Sequence, residues 1–139
     1  MICKELGIKV RLQNMIGLPV RDPLKDALET LDYNQEINPF DSWVSIFQPF
    51  PKTDLWNYCI EKNFIKTDAE CKDFYEGTCL NFPDKERILR LQKWWYFIVK
   101  YKIPMELVYI LLDLPLTPED RSKIQKLRWQ IAAESLYGL

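Results

Sequence analysis

The chain has 139 residues, of which 47% are hydrophobic and 14% aromatic, with a formal charge of −1. That composition supports one folded domain with a real core and excludes a disordered chain. Acids and bases are interspersed, so the charge gives no case for nucleic acid or for an anionic membrane surface.

No stretch reaches the roughly 18 to 20 uninterrupted apolar residues that a bilayer span requires. The longest apolar run, Met105 to Leu112, contains Glu106. Met1 to Val10 hold Lys4, Glu5 and Lys9 and lack a hydrophobic signal region, so a cytoplasmic location is expected. Histidine is absent, which removes the commonest general base and the commonest nitrogen ligand for metals. The four cysteines, Cys3, Cys59, Cys71 and Cys79, fit neither a zinc ribbon nor a Cys-x-x-x-Cys-x-x-Cys cluster loop. They are expected to be free thiols.

In chain order, Met1 to Leu6 read as the last turn of a helix. Gly7 to Ile16 read as a strand, with Ile8, Val10, Leu12, Asn14 and Ile16 on one face. Gly17-Leu18-Pro19 ends it. Asp22 then offers an N-cap and Pro23 fits the first helical position. Leu24, Ala27, Leu28 and Leu31 continue at helical spacing to about Glu36. Asn38-Pro39 breaks that helix, and Ser42 to Gln48 reads as a second strand. Pro49-Phe50-Pro51 stops the strand, and Thr53 caps a short helix to about Lys62. Lys66 to Asn81 has no clear period and reads as loop. Three helices follow. The first runs from about Asp84 to Tyr101 with Ile88, Leu91, Trp95 and Ile98 on one stripe, and the second from Met105 to about Asp113. The third runs from the Thr117-Pro118-Glu119-Asp120 start to about Tyr137, ending at Gly138.

Strand, helix, strand, helix is a βαβ pattern with parallel strands. Two parallel strands make a poor sheet by themselves, because each leaves an edge of unpaired backbone groups. The chain is therefore expected to be part of something larger, or to complete itself on a partner subunit.

The stretches Gly7-Ile8-Lys9-Val10, Asn14-Met15-Ile16-Gly17-Leu18-Pro19 and Pro49-Phe50-Pro51-Lys52-Thr53 resemble the radical S-adenosylmethionine superfamily. The closest branch is the one whose members often carry a cobalamin-binding domain. The resemblance covers about residues 1 to 65 in order and spacing. It implies an α/β fold in which residues 1–65 are the last β/α units of a partial TIM-type barrel. Residues 66–139 would follow as a mostly helical carboxy-terminal extension.

It also implies a function. The chain would be the carboxy-terminal part of a radical S-adenosylmethionine enzyme, lining the adenine side of that cofactor and forming part of a substrate lid. Gln13, Asn14, Met15, Ile16, Gly17, Leu18, Pro19 and Gln48 would be cofactor-binding, with Met15 the apolar contact and Gly17 the close backbone approach. An iron–sulfur cluster of the 4Fe-4S type belongs to the full enzyme, with cobalamin as a further cofactor. Its cysteines are not in this chain, which alone would not catalyse. Partners would be the amino-terminal half of the barrel or another subunit, and a substrate that is a small molecule or lipid-like.

The chain departs from the family pattern at two places. Val20-Arg21-Asp22 stands where Gly-Glu-Thr is usual, and Lys52 replaces a glycine, which suits a lysine if its φ is negative. Read from the residues alone, Gln13 and Gln48 fit hydrogen bonding to a neighbouring strand or water better than to a ligand. Lys93-Trp94-Trp95-Tyr96 fits core packing better than stacking on nucleic acid, because Trp95 falls on the apolar stripe. The rival function is a non-catalytic interaction remnant whose aromatic helical tail binds a protein.

Overall fold

A computed structural model of the chain describes residues 2–66 and 77–137. A single turn, α1 (Ile2–Glu5), leads through Gly7 at φ +70° into strand β1 (Arg11–Ile16). Helix α2 (Pro23–Ile37) carries the chain to β2 (Asp41–Ile46). The strands are parallel, in a register running from Arg11 opposite Asp41 to Ile16 opposite Ile46. Helices α3 (Asp54–Glu61), α4 (Lys85–Lys100), α5 (Met105–Asp113) and α6 (Pro118–Tyr137) follow.

The helix boundaries have local causes. The Asp22 carboxylate accepts the Lys25 N–H at 3.0 Å, with Pro23 at the first helical position of α2. Asn38 ends α2 in the left-handed conformation, its N–H returning to the Asn34 carbonyl. Thr53 caps α3 by accepting from Trp56 N–H. Thr117 and Asp120 cap α6 reciprocally. Asp120 N–H donates to the Thr117 hydroxyl oxygen, and the Asp120 carboxylate accepts from Thr117 N–H and O–H. Those bonds favour the ionised carboxylate and lower its pKa.

The expected partial barrel is not what the chain forms. The class is α/β, but the sheet among the described residues is two strands wide, in the order β1-β2. In a β/α barrel, strand follows strand around a closed ring. Here the element packed along β2 is α4, from the carboxy-terminal stretch, and α4 also packs on α2. Trp95, Ile88, Leu91 and Ile98 of α4 are all buried and share one core with Ile16, Val44 and Ile46 of the strands. The stripe expected on α4 is thus the second wall of the sheet's inner face, and one core joins residues on both sides of position 66. A smaller cluster of Tyr96, Phe97 and Ile124 seats α6 on the far side of α4.

Polar contacts tie the helices together. The Gln35 side-chain amide donates to the carbonyls of Ile98 and Ile103, tying α2 to the end of α4 and the turn after it. Arg87 forms a two-pronged bridge to Asp113, and Arg90 donates to the Leu112 carbonyl, so α5 is held by its last turn.

Cys3 and Cys59 are free thiols as expected, and burial raises the Cys59 pKa. Cys79 is not free: it is disulfide-bonded. Cys71 lies outside the described residues, as does most of the loop expected over Lys66 to Asn81. Gly138, the expected end of the last helix, lies outside them too.

Candidate functional site

The carboxy-terminal ends of β1 and β2 bring together the two stretches singled out in the sequence. The ladder continues one step past the strands, with Phe47 N–H donating to the Ile16 carbonyl at 2.9 Å. The segments 16–20 and 47–53 therefore leave the sheet side by side.

Within the first segment the side chains divide sharply. Ile16 is fully buried, Gly17 and Pro19 are buried, and Leu18 is half-buried against the core. Gly17 has φ +73°, a backbone conformation that a side chain opposes. A β-carbon there would also meet Ile46, Ile88 and Phe82 at 3.6 Å. The glycine is thus required by the turn and faces hydrophobic side chains.

Asn14 points inward. Its amide pairs reciprocally with Asn34 of α2, donating at 3.1 Å and accepting at 2.9 Å. It also donates to the Ser42 hydroxyl and the Trp43 carbonyl. Ser42 in turn donates to the Asn34 side-chain oxygen Oδ1 at 2.7 Å and accepts from the Trp95 indole at 2.8 Å. This is a buried polar chain linking β1, α2, β2 and α4, and it occupies the Asn14 side chain completely. Asn34, Ser42 and the Trp95 indole were not among the sequence candidates. The signal for Asn34 is a polar residue on the Leu24, Ala27, Leu28, Leu31 stripe, where only a partnered group is tolerated.

Gln48 is buried and turned toward Gly77 and Cys79. Its amide donates to the Gly77 carbonyl at 2.5 Å, and its oxygen accepts from Cys79 N–H at 3.3 Å. Beside it, Phe50-Pro51-Lys52-Thr53 forms a turn in which Thr53 N–H donates to the Phe50 carbonyl. Proline in the second position and φ +68° at Lys52 in the third make it a type II turn. The lysine thus adopts the left-handed conformation that glycine takes without strain, and the negative φ that would suit it is absent.

The outer face of β1 is open, whereas on β2 the same face carries half-buried Trp43 and buried Ser45. Arg11, Gln13 and Met15 are exposed, Met15 at 49%. Arg11 reaches across to Asp41 at 2.7 Å. Among the described residues β1 pairs with β2 alone, so its other edge presents unpaired N–H and C=O groups. Of the predicted residues, Gln13 and Met15 face this open side, while Asn14, Ile16 and Gln48 do not.

The donor set among the described residues does not fit an iron–sulfur cluster. Among the described residues no three metal-binding side chains come together; Cys59 is buried by itself and Cys79 is in a disulfide. No helix among the described residues is long and apolar enough to cross a membrane. In comparisons with known proteins, no family model matches the chain, and neither a curated protein nor a solved structure matches it.

Proposed function

We propose that this chain is a carboxy-terminal portion of a radical S-adenosylmethionine enzyme, supplying the wall against which the adenine of that cofactor lies and part of the cover over the substrate. A longer polypeptide or a partner subunit supplies the cluster and the remaining contacts. The observation that carries the reading is the meeting of the two resembling stretches at the carboxy-terminal ends of paired parallel strands. The left-handed turn at Lys52, where the family has glycine, adds to it.

The chemistry of the open edge suits this ligand. Adenine offers an N–H donor beside a ring-nitrogen acceptor, and an unpaired strand edge offers the complementary carbonyl and N–H. Met15 gives an exposed, polarizable apolar surface for the ring on the adjoining face. In the full enzyme S-adenosylmethionine would supply the radical chemistry, with the cluster held outside this chain. This chain's residues would position the adenine end and exclude water there. Cobalamin, the cofactor common in the resembling branch, would be held elsewhere in the full enzyme.

Equilibrium dialysis with labelled S-adenosylmethionine tests the proposal. Saturable weak binding by the wild-type chain is expected, reduced several-fold in Met15→Asn, whose exposed position spares the fold. No binding to the folded wild-type chain at millimolar ligand contradicts it. Anaerobic reconstitution with iron and sulfide is expected to leave no stoichiometric four-iron cluster on this chain.

A further inference from the structure

The carboxy-terminal half of α6 meets the start of β2 around a small cavity. Phe40, Asp41, Tyr96, Ala132 and Ser135 line it, and its volume is about 10 Å³. That is the room one water molecule needs, and too little for a larger ligand.

The polar groups around this space are unevenly satisfied. Only 11% of the Asp41 side chain is exposed, and its Oδ2 takes the Arg11 guanidinium at 2.7 Å. The other oxygen, Oδ1, is fully buried and has no hydrogen-bond partner among the described residues. A buried carboxylate oxygen in that condition is costly. On the same cavity, the Lys100 ammonium donates to the Tyr96 hydroxyl at 3.0 Å and to the Ser135 hydroxyl at 2.6 Å. Both hydroxyls therefore act as acceptors, and each still has its own hydrogen to give. Among the described residues neither hydrogen has an acceptor; Ser135 does not turn to the carbonyl one helical turn back, as Thr30 does to that of Asp26. Two donors and one acceptor thus border one space, and no hydrogen bond joins them directly.

The occupant must accept from the hydroxyls and donate to the carboxylate. A metal ion cannot accept a hydrogen bond, and it would meet Arg11, Lys100 and the Arg128 guanidinium, which lies 5.6 Å from the Tyr96 ring centroid. An anion would face Asp41. Water does both jobs. We infer that the cavity is a binding site for one water molecule, which accepts from the Tyr96 and Ser135 hydroxyls and donates to Asp41 Oδ1. The water joins β2, α4 and α6 through groups that do not reach one another. Ile124 seats the first half of α6 on Tyr96 and Phe97, and the water, with the Lys100 bond to Ser135, seats the second half. This site is independent of the S-adenosylmethionine reading.

Magnetic resonance on the isotopically labelled chain tests it, with circular dichroism confirming that the variant is folded. Cross-relaxation with water, of the sign that marks a long-lived bound molecule, is expected at the Tyr96 ring and at Ser135. In Ala132→Val the added methyl groups fill the cavity and leave every polar group in place, so those signals should be lost. Both hydroxyls remain in that variant, so their own exchanging hydrogens cannot account for the loss. No long-lived water at this cavity in the folded wild-type chain overturns the inference, and so do signals that persist unchanged in folded Ala132→Val. A crystal structure of the wild-type chain reads the same site without a variant. One water within hydrogen-bonding distance of Asp41, Tyr96 and Ser135 is expected there; a metal ion, or the three groups bonded directly to one another, contradicts it.

Discussion

On the side of the sheet turned toward α2 and α4, Ile16, Val44 and Ile46 are sealed, and Asn14 is held by three partners. On the opposite side of the same two strands, Gln13 and Met15 stand in solvent and one ion pair, Arg11 to Asp41, spans the ladder. The backbone is common to both sides. What differs is that the inner face is sealed by α2 and α4, while the outer face is exposed along β1 and covered along β2, where Trp43 is half-buried and Ser45 buried. Stability should therefore be concentrated on the inner face. The exposed face of β1 should contribute little to it.

The sharpest way to break that contrast is at Trp95. Trp95→Ala removes a fully buried ring and leaves the Ser42 hydroxyl without its indole donor, so a loss of about 3 to 5 kcal/mol is expected in urea unfolding. Asn34→Leu comes next. It strips partners from Asn14 and Ser42 at once, and leaving buried polar groups unpaired costs about 1 to 3 kcal/mol. Lys52→Gly runs the other way. It relieves a left-handed lysine and should raise stability by up to about 1 kcal/mol, seen as a higher urea midpoint. Met15→Asn is the smallest. As an exposed outer-face change it should stay within about 0.5 kcal/mol of wild type. A large loss at Met15, or a small one at Trp95, would mean that the two faces are not divided as described.

Much of the helical framework was legible in the sequence. The Asp22 and Pro23 start, the Thr117 to Asp120 capping box and the Trp95 stripe each rest on local chemistry or period, and each is found in place. Other features depend on contacts distant in sequence. The two strands invited a barrel because nothing in their pattern told that α4, some forty residues after β2, would cover them. Asn14 lay on the apolar face by alternation, yet its partners Asn34 and Ser42 are 20 and 28 residues away. Gln48 is satisfied by Gly77 and Cys79, whose segment shows no period at all. At Lys52 the turn demands φ > 0 whatever residue stands there, because Pro51 and the ends of β2 and α3 set the path.

The most direct measurement of the central claim is a titration of the isotopically labelled chain with S-adenosylmethionine, followed through its backbone amide resonances. The account predicts progressive shifts at Gln13 to Val20, along the open edge and its turn, with α5 and α6 unmoved. Shifts confined to the helices, or none in a folded chain at millimolar ligand, would contradict it.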